Sequence, residues 1–186
     1  MGKLTVNPTP FEGVFTIDTD AFHDHRGAFA RWFDDKELKD VLGDQHIVNV
    51  NYSRTVHKGS IRGMHFQFPP DTETKLVRCI RGRIIDVIVD IREGSPTFLQ
   101  HFSAELSEDN MRLLCVPKGF AHGFQSLEDD SEIMYLVTNY YSPENECGLN
   151  PLDPKLGIKW PLPIADISDK DKGRAHLTDS FKGIRP

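Results

Sequence analysis

The chain has 186 residues, 38% of them hydrophobic and 27% charged, an ordinary balance for a globular chain able to bury a core. A formal charge of -6 argues against general nucleic-acid binding, so an anionic ligand would have to be met by locally placed Arg and Lys. No run of eighteen apolar residues occurs and residues 1–8 lack the apolar core of a signal peptide, so neither a membrane span nor secretion is expected.

Residues 5–17 alternate loosely around two prolines and suggest an arm, about 1–13, that leads into a first strand ending at Ile17. Asp24 to Gly27 is a turn signal, after which Ala28, Ala30 and Trp32 alternate with Phe29, Arg31 and Phe33. Residues 34–42 give the one helix expected in the first 160 residues, opened by acids and stopped by Gly43. Strand then follows strand: 47–53, a polar loop at 55–60, a strand through Arg62, a turn at 68–73, and strands at 75–80 and 83–91 parted by Gly82. Further strands are expected at 98–106, 112–116, 123–127 and 132–141. Short strands at regular spacing, punctuated by Gly and Pro, mean an all-β sandwich or barrel with a few short peripheral helices. Beyond Pro143 the chain becomes loop-rich, and 172–186 reads as a polar surface tail of a single domain spanning 1–186. The three cysteines, Cys79, Cys115 and Cys147, are odd in number and form no CxxC pair; they read as reduced thiols of a cytoplasmic protein, the first two as core filler.

The chemistry concentrates in Ile61-Arg62-Gly63-Met64-His65-Phe66-Gln67, with Lys75 ten residues after the histidine. Its mixed polar and apolar pattern, with Arg62, His65 and Gln67 set against Met64 and Phe66, reads as a polar cluster on a half-buried strand. An imidazole suits proton abstraction near neutral pH, an ammonium stabilises an oxyanion, and Tyr135 on another alternating strand can act as the opposing acid. Together they describe removal and return of a proton beside a carbonyl. Taken singly, each also fits a plainer role: a hydrogen-bonded core histidine, a surface lysine, a barrel-lining tyrosine.

Pro117-Lys118-Gly119-Phe120-Ala121-His122 has the PxGxxH spacing of the second cupin motif, and Gly82 fits the glycine closing the first. A metal-binding cupin would carry His-x-His before that glycine, whereas this chain has His65-Phe66-Gln67. No three-histidine site can form from these motifs, and a weaker set of His65, Gln67, Glu73 and His122 is the remaining metal reading. No metal and no cofactor are expected.

Many blocks in one order resemble the dTDP-4-dehydrorhamnose 3,5-epimerase family: Asp24-x-Arg26-Gly27-x-Phe29, Asn51-x-Ser53, the Arg62 to Gln67 stretch, Lys75-Leu76-Val77-Arg78-Cys79, Pro117-x-Gly119-Phe120-Ala121-His122-Gly123-Phe124 and Ile158-Lys159-Trp160-Pro161. The resemblance implies a metal-free cupin jelly roll working as a homodimer, with the N-terminal region joining the partner's sheet. It implies a dTDP-4-keto-6-deoxy sugar as substrate, inverted at C3 and C5. His65 is then the general base and Asp171, in Ser168-Asp169-Lys170-Asp171, its carboxylate partner. Lys75 is the cation near the C4 oxygen and Tyr135 the acid on the opposite face. Arg26 and Arg62 match diphosphate-binding residues, and Phe29, Asn51, Gln67, His122, Tyr141 and Lys170 are carried over as substrate-binding positions. Alternation along the strands suggests that Asp86 pairs with His122. Relatives read Trp-Asn-Asp-Pro where this chain has Asn150-Pro151-Leu152-Asp153-Pro154, so one wall of the pocket is expected to be reshaped. The rival readings are an epimerase inverting one carbon, a ketoisomerase, a catalytically silent sugar-nucleotide-binding cupin and a weak metal-dependent cupin.

Overall fold

The structure, a computed structural model, describes residues 3–186. Two antiparallel sheets pack face to face. The first runs β1 (Leu4–Pro8), β2 (Phe15–Thr19), β10 (Leu113–Val116), β7 (Lys75–Arg81), β12 (Ser131–Val137) and β5 (Asn49–Thr55). The second runs β13 (Glu146–Gly148), β6 (Ile61–Gln67), β11 (Phe120–Ser126), β8 (Arg83–Asp90) and β9 (His101–Ser107). This is the cupin-type jelly roll that the strand spacing and the resemblance led us to expect.

The central strands β7, β8, β10 and β11 are buried nearly throughout because both of their faces are covered, while the edge strand β5 alternates and exposes Val50 and Tyr52. Val77, Cys79, Leu114, Ile133, Ile84, Ile88, Leu106 and Phe124 fill the space between the sheets. On the outer face of the first sheet, Leu4, Ile17, Leu76, Leu113 and Leu136 pack against Leu38 and Leu42. Those two leucines come from the segment expected as a helix over 34–42, where only α1 (Lys39–Leu42) is helical. The preceding turn is held by Asp34, whose Oδ1 accepts from the amides of Lys36 and Glu37, so the acid caps a turn one step before the helix begins. Cys79 and Cys115 are buried, and burial pushes both thiols up to about 12, which suits inert filler.

Two terminal segments differ from a simple arm and tail. Within the expected arm, β1 pairs with β2 of the same chain and forms one edge of the first sheet. The segment 172–186 is polar in composition but docked: Leu177, Phe181 and Ile184 pack on the outer face of the second sheet with Met64, Val87 and Val89. Ile184 donates its amide to the Ile91 carbonyl at 2.7 Å and accepts from the Glu93 amide at 2.8 Å. Three apolar side chains spaced through a polar segment are too sparse to register as a periodic element, yet enough to anchor it. Ile184→Ala should therefore cost about 2 kcal/mol, read as a lower urea midpoint; an unchanged midpoint would mean that the segment contributes nothing to the fold.

Candidate active site

The local geometry starts from β6 and β11. His65 lies opposite His122 and Arg62 opposite Phe124, so two residues of β6, Gly63 and Met64, face the single Gly123. This bulge resets the alternation and turns both Arg62 and His65 toward the space between the sheets. It requires two bare backbones in contact. A Cβ on Gly63, whose φ is +127°, would meet Gly123 Cα at 2.5 Å.

The site is a cavity of about 610 Å³ between the sheets. One wall is the second sheet, with Arg62 and His65 on β6 and His122 on β11; the facing wall is the first sheet, with Lys75 on β7 and Tyr135 on β12. The rim comes from α2 (Asp169–Lys172), which brings Lys170 and Asp171, and from Glu146 on β13. The segment before α2 is fixed to β6: Ile61 donates its amide to the Asp166 carbonyl at 2.8 Å and forms a parallel bridge with Ile167. Ser168 then caps the helix, its hydroxyl accepting from the Asp171 amide at 3.1 Å.

That docking joins residues far apart in sequence. His65 Nε2 lies 2.7 Å from Asp171 Oδ1, while the Gly63 amide donates to Asp171 Oδ2 at 3.4 Å. The His65 side chain is 38% exposed to the cavity and that of Asp171 only 5% exposed. Burial alone would raise the Asp171 carboxyl. The hydrogen bond and electrostatic attraction to the His65 ring, the Ser168 cap and the Gly63 amide outweigh it and bring the group from 3.8 down to about 2. Opposite, burial raises the Tyr135 phenol and the negative charge of Glu73 adds to this, against a lowering by Arg62, so the phenol stays protonated near neutral pH. Lys75 Nζ pairs with Glu73 at 3.2 Å, both side chains largely buried. His122 Nε2 lies 2.6 Å from the buried Asp86 Oδ1, the partner that alternation suggested.

The remaining expected residues divide. Arg62 and Lys170 line the cavity: Arg62 donates to Thr55 Oγ1 at 3.0 Å and the Arg54 carbonyl at 3.1 Å, and Lys170 pairs with Glu146, which raises the ammonium and lowers the carboxyl. Asn51 sits opposite Tyr135 on β5, outside the lining. Gln67 is spent on structure: it donates to the Asp71 and Tyr140 carbonyls and accepts from the Ser142 amide, so its amide ties down a loop. Tyr141 is exposed and reaches the rim through Glu146 Oε2 at 3.4 Å. Arg26 and Phe29 lie away from this cavity, on an exposed two-stranded hairpin of β3 (Phe22–Asp24) and β4 (Gly27–Phe29), where Arg26 pairs with Asp24. The stretch 150–154 does not border the cavity either, so the absent aromatic reshapes no wall here; Asn150 instead donates to the carbonyls of Lys172 and Arg174 behind α2. The four side chains of the weak metal set are each otherwise engaged, with Asp171, Asp86, loop backbone and Lys75. Sequence reasoning overlooked Glu146 and Arg174. Neither stands in a motif, and only the docking of β13 and α2 brings them to the site.

Because the folded Asp171 lies below its ordinary value, it contributes stability that is complete above about pH 4 and lost as the pH falls through about 2. Acid titration of stability should therefore flatten over that window in Asp171→Asn; parallel profiles for variant and wild type would contradict the pairing.

This geometry has close counterparts. The family model for dTDP-4-dehydrorhamnose 3,5-epimerase matches residues 8–179. The enzyme of that name from Sinorhizobium fredii is 44% identical over 168 residues, covering 88% of this chain and 86% of the relative. A dTDP-4-dehydro-6-deoxyglucose 3-epimerase from a Streptomyces species is 36% identical, covering 97% of this chain and 93% of its own. Among solved structures, the dTDP-6-deoxy-D-glucose-3,5-epimerase of Legionella pneumophila, in complex with dTDP-4-keto-L-rhamnose, superposes with a TM-score of 0.91 at 38% identity, over 99% of both chains. With His65, Lys75 and Tyr135 facing one cavity between two jelly-roll sheets and matches of this extent, the chain belongs to the dTDP-4-dehydrorhamnose 3,5-epimerase family and is an isomerase acting on carbohydrates.

Proposed function

We propose that the protein inverts C3 and C5 of dTDP-4-keto-6-deoxy-D-glucose to give dTDP-4-keto-L-rhamnose, in the cytoplasm and without a cofactor. One observation carries the reading: His65 and Tyr135 come from opposite sheets and line one cavity from facing walls. Inversion through an enolate needs a base on one face of the sugar and an acid on the other. The C4 ketone acidifies the neighbouring C–H bonds. His65 takes the proton with its free ring nitrogen, Asp171 stabilises the imidazolium, and the electron pair moves onto the C4 oxygen near Lys75. Tyr135 returns a proton from the other face, inverting the carbon, and solvent exchange resets both groups. Arg62 and Lys170 are cations at the cavity edge suited to the diphosphate, and His122, fixed by Asp86, is a polar group for the sugar.

Arg26 and Phe29 keep their assigned binding role if the hairpin enters the cavity of a second copy. The exposed Phe22 and Phe29 on the hairpin, and Val50 and Tyr52 on the edge strand β5, support a homodimer. Sedimentation at twice the chain mass is expected; a monomer at micromolar concentration would remove these two residues from the site.

The reaction is tested by incubating the protein with dTDP-4-keto-6-deoxyglucose in heavy water and following the sugar by NMR. Deuterium at both C3 and C5 with inversion is expected. Deuterium at C3 alone would move the assignment to a 3-epimerase, the activity named for the Streptomyces relative. His65→Ala should lose turnover by at least about a thousandfold while remaining folded. Tyr135→Phe should retain exchange and lose inversion, and equal loss of both would remove Tyr135 from the acid role.

A further inference from the structure

Behind the dyad lies a cation to which this chemistry gives no role. The Arg174 side chain, just past α2, is only 14% exposed. Its Nε donates to Asp171 Oδ1 at 3.4 Å, the same oxygen that meets His65 Nε2. Nη1 donates to the Gly148 carbonyl at 3.5 Å, and Nη2 lies 3.7 Å from Glu146 Oε1 without a hydrogen bond among the described residues. Its room is built in: a Cβ on Gly148 would come within 2.8 Å of the guanidinium carbon and Nε. Its backbone is tied down as well, the Arg174 carbonyl accepting from Asn150 Nδ2 at 2.8 Å. A buried guanidinium seated in this way is not a solvated surface charge.

Arg174 stands between two ion pairs. Asp171 faces the His65 ring and Glu146 faces the Lys170 ammonium. The groups bearing on His65 therefore oppose one another: Asp171 on α2 and Glu146 on β13 favour an imidazolium, while Arg174 and Lys170 disfavour one. From the facing walls, the cations Arg62 and Lys75 and the titratable His122 and Tyr135 line the same cavity. The Gly63 amide and the Ser168 cap hold Asp171 independently of Arg174, so losing the guanidinium changes the charge at the dyad without releasing its carboxylate.

We propose that Arg174 is a positioning residue of the dyad, a buried cation that braces Asp171 against Glu146 and opposes protonation of His65. Its catalytic meaning rests on the reading of His65 as the base. The test is an NMR titration of the histidine ring protons, with His65 assigned by its absence in His65→Ala. Two neutral, long replacements, Arg174→Gln and Arg174→Met, keep the buried stem and guard against a variant that does not fold; Arg174→Lys retains the charge. In the neutral variants the His65 ring should titrate about one pH unit higher than in wild type, and in Arg174→Lys within about 0.3 unit of it. The acid limb of kcat on dTDP-4-keto-6-deoxyglucose should move up by the same amount in the neutral variants. A His65 titration that stays in place or moves down overturns the proposal, since a downward move is what loss of the Asp171 contact would produce. The titration needs no substrate. A protein inactive on that sugar would therefore refute the assigned reaction, while the ring titration still decides the role of Arg174.

Discussion

The site depends on how closely β6 can approach β11. Two glycines face each other across that pair, and any side chain on either would strike backbone, since a Cβ on Gly123 would lie 2.6 Å from the Arg62 carbonyl oxygen. The contact permits two residues to oppose one, and this extra residue turns Arg62 and His65 to the same side. β6 also carries α2, because Ile61 binds the segment that ends in Asp171. One close backbone contact thus sets the direction of His65 and the docking of Asp171.

Electrostatics complete the arrangement. The chain is acidic overall, yet its cavity is lined by Arg54, Arg62, Lys75 and Lys170 against Glu146, Asp166 and Asp171. Most of these cations are steadied by an acid: Arg54 by Asp130, Lys75 by Glu73, Lys170 by Glu146. The exposed pairs among them, Arg54 with Asp130 and Lys170 with Glu146, contribute little to stability, about 0–1 kcal/mol each. Their effect is to hold long side chains in one orientation before a ligand arrives, which lowers the ordering cost of binding. The pairs with a buried carboxylate differ: Asp86 with His122, Glu73 with Lys75 and Asp171 beside the partly exposed His65 leave the surrounding chain little freedom, because removing the partner strands a buried charge.

The residues carried over from family resemblance separate by what else they touch. His65, Lys75, Tyr135, His122, Arg62, Lys170 and Asp171 meet in one cavity. Gln67 is consumed by three loop backbone groups, which its place in a conspicuous motif could not reveal. Among the described residues the hairpin bearing Arg26 and Phe29 pairs only with itself, and its exposed aromatic rings stand outside the packed sheets. Resemblance identifies a position; the contacts of the folded chain identify what that position is free to do.

Strand spacing, turn residues and alternation determined the all-β class, the sheet character of nearly every segment, and the facing of Asp86 toward His122, because these are local or period-two properties. Residue types alone nominated a base, an oxyanion partner and an acid. The sequence by itself could not decide the register of β6 against β11, since a bulge breaks the very period on which such reading relies. Nor could it decide the fate of 172–186, where three apolar anchors dock a polar segment and Arg174 turns inward beside Asp171. Those outcomes belong to tertiary structure, because burial of a charge depends on neighbours brought from distant parts of the chain.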